Sequence, residues 1–350
     1  MNYLNKFFRL LSILIIFKFI IPPIFAWGDS LSLYDYAEKL KKLVLQKKYK
    51  EAKKLLEKIE EKYPIVKTYI EHVIYLSKNN YALVVDKKNE YLYVITQRNG
   101  LPIIVRIYPC ITGKRPGDKF REGDQKTPEG VYYPIKYIPG YRLSPIYGIG
   151  AYVLNYPNYL DKYLGKGGHG IWIHGTNNPN RPPHSSNGCV VLKNKYLKKL
   201  KKYIKLYETP VIIVEGIKKG PAKNLLKERK ELLEFLLAWK NAWENSPKDI
   251  ETYFSFYSKH LITPYGNYKA WKKHKLRVTK QKKWIKVNLS DIQILKDGRF
   301  NLFGYKNIYA ISFWQHYMSN NYNSTDRKVL YVVKEGNKWK ILAEEILLEK

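Results

Sequence analysis

At 350 residues and 45% hydrophobic content the chain exceeds what one small core needs and is far from the composition of a disordered protein. Lys and Arg number 63 against 30 Asp and Glu, a formal net charge of +33; nucleic acid, an anionic cell-envelope surface and a lysine-rich composition without a specific partner compete to explain it. Cys110 and Cys189 are too few cysteines for a disulfide scaffold, which leaves one bridge between them, two buried thiols, or a reactive thiol.

Residues 1–26 combine Lys6 and Arg9, a short apolar centre and Ala26, the order of a signal peptide. Lys18 interrupts the apolar run, which is short for a membrane span; an uncleaved anchor is the alternative. Export to the periplasm or cell envelope follows, and it argues against nucleic acid as a partner. Residues 27–78 read as a helical segment: Leu33, Tyr36, Ala37, Leu40, Leu43 and Val44 recur at helical spacing, and the pattern repeats up to Pro64. Its role is packing, with a homodimer through these helices as a second reading.

From Tyr81 the period changes. YALVVDKKNEYLYVI predicts a β-hairpin turning at Asp86 to Asn89, and LPIIVRIYPCIT a further strand. The charged loop from Gly113 to Gly130 lacks the Gly-Lys-Ser/Thr ending of a phosphate-binding loop. Its Lys114, Arg115 and Lys119 read as solvated charge, with contact to anionic wall polymer as the functional alternative. VYYPIKYIP, AYVLNYP and finally PVIIVEG supply more strands of a domain over 79–216. Residues 217–350 follow as an α+β domain. It opens with a helix from Pro221 to Trp243 and a second over Ile250 to His260. Long strands come after, two of them turning at Gly336-Asn337. Trp239, Trp243, Trp271, Trp314 and Trp339 are expected in its core.

The stretch Ile171 to Leu192, IWIHGTNNPNRPPHSSNGCVVL, carries the chemistry. Its apolar ends predict two buried strands, one closed by His174 and the other opened by Cys189. Neighbouring strands would bring the imidazole to the thiol, as a Cys-His nucleophile pair needs. His169, His174, His184 and Cys189 raise zinc as an alternative, but the spacing matches no ligand pattern and no carboxylate lies between His169 and Cys189; no metal or cofactor is implied. Ser185 and Ser186 raise a serine hydrolase, without the Gly-x-Ser-x-Gly elbow. A thiolate is the better nucleophile at neutral pH, so Cys189 is expected to have a low pKa and to be alkylated faster than Cys110.

These residues resemble the L,D-transpeptidase catalytic domain (YkuD) family, whose mark is a strand ending in His-Gly-Thr, a variable loop, and Ser-x-Gly-Cys before an apolar run. Here they are His174-Gly175-Thr176 and Ser186-Asn187-Gly188-Cys189-Val190. Ile111-Thr112-Gly113 and Thr127-Pro128-Glu129-Gly130 are similar to the family's upstream turns, so the resemblance covers about Tyr81 to Gly216. Asn187 and Val191 depart from it, where His or Ser and Arg are common. The region from Pro221 is similar to the cone-shaped domain of the nuclear transport factor two-like superfamily. That combination resembles enzymes that trim peptidoglycan to shape helical cells.

The resemblance implies an α+β multidomain protein, a mainly-β catalytic domain flanked by a helical segment and a cone. It implies peptidoglycan stem peptides as substrate. Cys189 would attack residue 3 at its L-centre, with His174 as base and the Gly175 carbonyl orienting the ring. D-Alanine leaves a thioester, resolved by water (L,D-carboxypeptidase) or an amine (3→3 L,D-transpeptidase), and the domain arrangement tilts toward water. Ser186, Asn187, the amides of Gly188 and Cys189, Thr176, His169 and Trp172 are the expected substrate or oxyanion contacts. Arg181 and His184 read as a solvated loop, with substrate carboxylates as the alternative. The cone's pocket is expected to take glycan or peptide, or only to brace the catalytic domain. The rival class is a non-catalytic wall- or polymer-binding envelope protein.

Overall fold

The computed structural model describes residues 33–62, 68–98, 100–299 and 301–349; the predicted signal segment lies outside them. The chain divides into two compact units, residues 1–67 and Thr68–Lys350. In the first, helices α1 (Leu33–Leu45) and α2 (Tyr49–Lys62) form a hairpin that buries Tyr36, Leu40 and Ala52, reversing at Lys47 with φ 54°. Among the described residues no helix is long and apolar enough to cross a membrane.

The helical segment ends sooner than predicted. Thr68–Ile70 (β1) and Val73–Leu76 (β2) are strands, and β2 is the edge of the C-terminal sheet. Val73-Ile74-Tyr75-Leu76 is a short apolar run buried on both faces, which periodicity does not distinguish from helix.

Three large sheets and a two-stranded one build the second unit. Ala82–Asp86 (β3), Tyr91–Arg98 (β4), Leu101–Pro109 (β5), Gly130–Tyr132 (β6) and Val211–Val214 (β11) make a five-stranded sheet ordered β5-β4-β3-β11-β6. Pro134–Pro139 (β7), Gly150–Leu154 (β8), Trp172–His174 (β9) and Val190–Val191 (β10) make a four-stranded one, with the short helices α3 (Tyr159–Tyr163) and α4 (Asn194–Leu200) after β8 and β10. In the C-terminal region, Lys219–Pro221 (β12) pairs with β1, and α5 (Ala222–Asn245), α6 (Ile250–Phe254) and α7 (Tyr268–Thr279) cover a six-stranded sheet. Its strands are Tyr257–Ile262 (β13), Ile285–Lys296 (β14), Tyr309–Ser319 (β15), Asn323–Glu335 (β16), Lys338–Glu349 (β17) and β2.

Side-chain alternation shows how the layers stack. On β3, Leu83 and Val85 face a core shared with the four-stranded sheet, where Ile173 and Val190 also lie. Ala82 and Val84 face the opposite core, shared with Leu295, Ala310, Val329 and Tyr331 of the six-stranded sheet. A third core lies between that sheet and the helices, around Trp239. The central strands β3, β11 and β6 are therefore buried on both faces, which is why YALVVD and PVIIV read as unbroken apolar runs, while the edge strand β5 is largely exposed. All five tryptophans named above are buried or half-buried, as expected.

The hairpin β3–β4 and the turn at Gly336 (φ 57°) match the sequence reading. The second helix does not: α6 stops at Phe254, and Tyr257–Ile262 is strand β13, parallel to β17. Helix α7 was not legible. Its Asn267 cap, accepting from Ala270 N at 3.0 Å, precedes a lysine-rich run whose one fully buried member is Trp271.

Candidate active site

Strands β9 and β10 are parallel neighbours, with Val190 beside Ile173 and Val191 beside His174. One step earlier in the same register Cys189 falls beside Trp172. Ile173 and Val190 point into the core, so Trp172, His174 and Cys189 share the opposite face. His174 is two residues further along that face than Cys189, roughly 6.6 Å of strand.

Each group has its own hydrogen bond. His174 Nδ1 donates to Gly175 O at 2.6 Å, and Cys189 Sγ donates to Gly170 O at 3.4 Å. Thiol and imidazole are not hydrogen-bonded to each other in this resting arrangement. With Nδ1 committed to a carbonyl, the neutral ring carries its lone pair on Nε2. The Tyr147 ring packs against both Trp172 and His174, at 4.9 Å from each.

Burial holds both groups neutral. It lowers His174 to about 4 and raises the Cys189 thiol to about 11, against smaller pulls toward thiolate from the Trp172 backbone, Arg181 and Lys119. Desolvation thus opposes the expected low pKa and favours thiol and imidazole at rest. Both cysteines are free, so the disulfide alternative does not hold; Cys110 is buried and desolvation pushes its thiol well up.

The four sequence pieces meet here. Gly113 N donates to Thr127 Oγ1 at 2.8 Å, and Gly113 bridges to Ser186, whose N donates to Thr112 O. Ser186 Oγ accepts from Gly188 N at 3.0 Å and donates to Cys189 O at 2.6 Å, binding the nucleophile's turn into one ring. Gly188 has φ 127°, and a Cβ there would lie 2.7 Å from Lys126 O, so that position admits glycine alone. The Ser186 hydroxyl is thereby committed to the turn. This also turns the Gly188 amide to Ser186 Oγ, leaving the Cys189 amide as the oxyanion candidate of the two.

Thr176 is buried in the turn, its Oγ1 accepting from Asn178 N and its own N donating to Asn194 Oδ1. Asn187 and His169 are exposed, and Trp172 is half-exposed beside the thiol. Arg181 is held by Ser185 through Nε and a terminal nitrogen, and its charge acts on both His174 and Cys189. His184 is drawn instead to Glu90, 3.3 Å away. Lys119 is not a solvated charge: it is buried and pairs with Asp124 at 2.7 Å.

Three residues escaped the sequence reading. Tyr147 closes a single 3-10 turn, Pro145–Tyr147, too short for a periodic signal. Glu90 accepts from the amides of Thr112 and His184 across the hairpin turn. Asn194 Oδ1 accepts from Ile149 N at 3.2 Å as well as Thr176 N at 3.1 Å, tying two loops behind His174. Its position at the start of α4 reads as ordinary helix entry.

Comparison with known proteins follows the same lines. Residues 80–213 match the family model of the L,D-transpeptidase catalytic domain (YkuD), and residues 231–345 match that of the Cds6 C-terminal NTF2-like domain. The structure of Bd1075 from Bdellovibrio bacteriovorus is 32% identical with a TM-score of 0.65, covering 80% of this chain and 98% of that one. The helical cell shape determining protein Pgp2 from Campylobacter jejuni is 30% identical with a TM-score of 0.65, covering 80% of this chain and 96% of its own. The comparison with curated proteins finds no match.

Proposed function

Because the chain belongs to the L,D-transpeptidase (YkuD) family, in the branch with a C-terminal NTF2-like domain, we propose that it is a peptidoglycan-modifying cysteine enzyme of the cell envelope that helps set cell shape. The observation that carries this reading is the orientation of His174. Its Nδ1–H is fixed on Gly175 O at 2.6 Å, which leaves Nε2 with the lone pair, and the strand register puts His174 on the face that carries Cys189. Catalytic hydrogen bonds absent at rest commonly tighten only when substrate is bound.

The reaction begins with a stem tetrapeptide laid along the β9–β10 face. The thiol leaves Gly170 O, gives its proton to His174 Nε2, and Sγ bonds to the carbonyl carbon of residue 3. The Cys189 amide meets the developing oxyanion. The tetrahedral species collapses as the C–N bond to D-alanine breaks, and Nε2 returns the proton to the departing amine. A thioester remains on Cys189. Water then gives the tripeptide, and a neighbouring stem's amine gives a 3→3 cross-link; we adopt water as the main acceptor. Arg181, whose charge acts on both reacting groups, is the cation we assign to the substrate's terminal carboxylate.

The test is incubation with disaccharide-tetrapeptide and product analysis by mass. Loss of alanine alone is expected, and a joined dimer would make the enzyme a transpeptidase. Cys189→Ala and His174→Ala should abolish either product and Cys110→Ala should not. No product from the wild-type protein, with retained binding to peptidoglycan, would favour the non-catalytic wall-binding reading.

A further inference from the structure

The loop entering β9 reads Gly165-Lys166-Gly167-Gly168-His169-Gly170, with φ of 71°, 83° and 70° at Gly165, Gly168 and Gly170. Such a loop loses a large backbone entropy on ordering. Yet its last carbonyl is the one that accepts from the Cys189 thiol. Its charged anchor is Lys166, buried, with Nζ 2.5 Å from Asp118 Oδ2 and 3.0 Å from Asp161 Oδ1.

Asp161 is fully buried and shared. Its Oδ2 accepts from Tyr132 OH at 2.9 Å, and its Oδ1 lies 2.6 Å from a terminal nitrogen of Arg299. Arg299 belongs to the C-terminal region, on the loop after β14. Its fork is fixed by Asp297, at 2.9 Å to Nε and 2.7 Å to a terminal nitrogen. Beside it, a Cβ on Gly298 would overlap the Val214 side chain of β11, so the loop sits hard against the catalytic sheet. A buried ion relay adds little net stability over an apolar plug of the same volume, but it fixes orientation sharply.

We infer that Arg299 is a positioning residue of the active site: through Asp161 and Lys166 it holds the glycine loop, and with it the carbonyl that sets the resting orientation of the Cys189 thiol. The C-terminal domain thereby helps set the geometry of the nucleophile, beyond any ligand it binds. The inference rests on Cys189 being the nucleophile, and its test separates the two.

Removing Arg299 alone would leave two buried carboxylates short of a cation. The full chain is therefore made with Arg299→Lys, and with the charge-balanced pair Arg299→Met and Asp297→Asn. Iodoacetamide labelling is followed at each cysteine by peptide mass, and tetrapeptide turnover is measured alongside. In the pair, released from Gly170, Cys189 is expected to label about threefold faster while kcat falls about tenfold and KM moves less than about twofold, the pattern of a misplaced nucleophile. Cys110 should stay unlabelled, as it lies in the core of the same domain. Arg299→Lys should fall between wild type and the pair. Lys166→Met should reproduce both changes, and adding it to the pair should change nothing further. Labelling and kcat both within about twofold of wild type in the pair would overturn the relay, as would Cys110 labelling in step with Cys189. If the wild-type protein has no turnover, the proposed function fails, while the labelling arm still decides the relay.

Discussion

The imidazole of His174 is held by the carbonyl of the next residue: Nδ1 donates to Gly175 O at 2.6 Å. Among the described residues a carbonyl stands where a triad has its carboxylate, and the consequence is electrostatic. A carboxylate partner would stabilise imidazolium; a neutral carbonyl does so less, and burial lowers His174 to about 4. The thiol, raised to about 11, gains nothing from an ion pair at rest.

A pH profile follows from those two values. Activity needs neutral His174, so kcat/KM should fall as pH drops through about 4, and it should stay level from pH 6 to 9 because neither group titrates there. Alkylation of Cys189 should keep rising with pH toward about 11 and be slow at pH 7 compared with an unperturbed thiol. A labelling rate that levels off below pH 8 would reveal a thiolate–imidazolium pair and overturn this account.

Asn194 is the support behind the base. A Cβ on Gly175 would overlap Asn194 Oδ1, and that oxygen accepts from both Thr176 N and Ile149 N. Asn194→Leu should leave two amides without their acceptor and cost about 1–3 kcal/mol of stability. With the Gly175 carbonyl freed, kcat should also fall about tenfold or more. Asn194→Asp keeps an oxygen in place and should retain most activity. Equal losses in the two variants would show that the carboxamide nitrogen, not the oxygen, matters.

His72 offers a separate pH reading, on stability. Lys218 N donates to its Nε2 and Nδ1 donates to Lys296 O, each at 3.4 Å, so the ring is buried neutral between β1, β12 and β14. Burial lowers it to about 4. The unfolded chain then binds a proton that the folded one does not between pH 6.5 and about 4, so the stabilisation from neutral His72 is present above 6.5 and is lost as pH falls through that window. The difference in unfolding free energy between wild type and His72→Gln should shrink by about 2–3 kcal/mol from pH 7 to pH 4. Denaturant titrations at the two pH values measure it, and a constant difference would sink it.

Much of the site was legible because its chemistry is written in rare residues at fixed order. His174, Cys189 and the glycine turns stand in one stretch, and strands on both sides are apolar runs. What was not legible acts through space. Asn194, Glu90, Tyr147 and Arg299 reach the site from elements with no local signal, and their roles are hydrogen bonds and packing across large sequence separations. Composition placed Lys119 on the surface, yet Asp124 makes its burial tolerable. The upward push on the Cys189 thiol is equally silent in the sequence, because desolvation outweighs the neighbouring charges. In the fold, β1, β2 and β13 were missed because short strands buried by tertiary contacts lack the length that separates strand from helix.

The stacking of the sheets makes a last prediction about where the protein can be cut. A domain boundary at Gly216 suits the sequence, but Val84, Ile212 and Val214 of the catalytic sheet share a core with Leu295, Ala310 and Val329 of the C-terminal one. Truncation there would expose the apolar centre of one face of the catalytic sheet. It would also leave Asp161 without Arg299 and β1 without β12. Apolar patches of that kind drive association. Residues 68–216 expressed alone are therefore expected to aggregate or stay unfolded, with Cys110 open to iodoacetamide. The chain from Thr68 to Lys350 should be monodisperse by light scattering and keep Cys110 protected. A soluble 68–216 fragment with protected Cys110 would show that the shared core is dispensable, and that the catalytic sheet closes without its C-terminal partner.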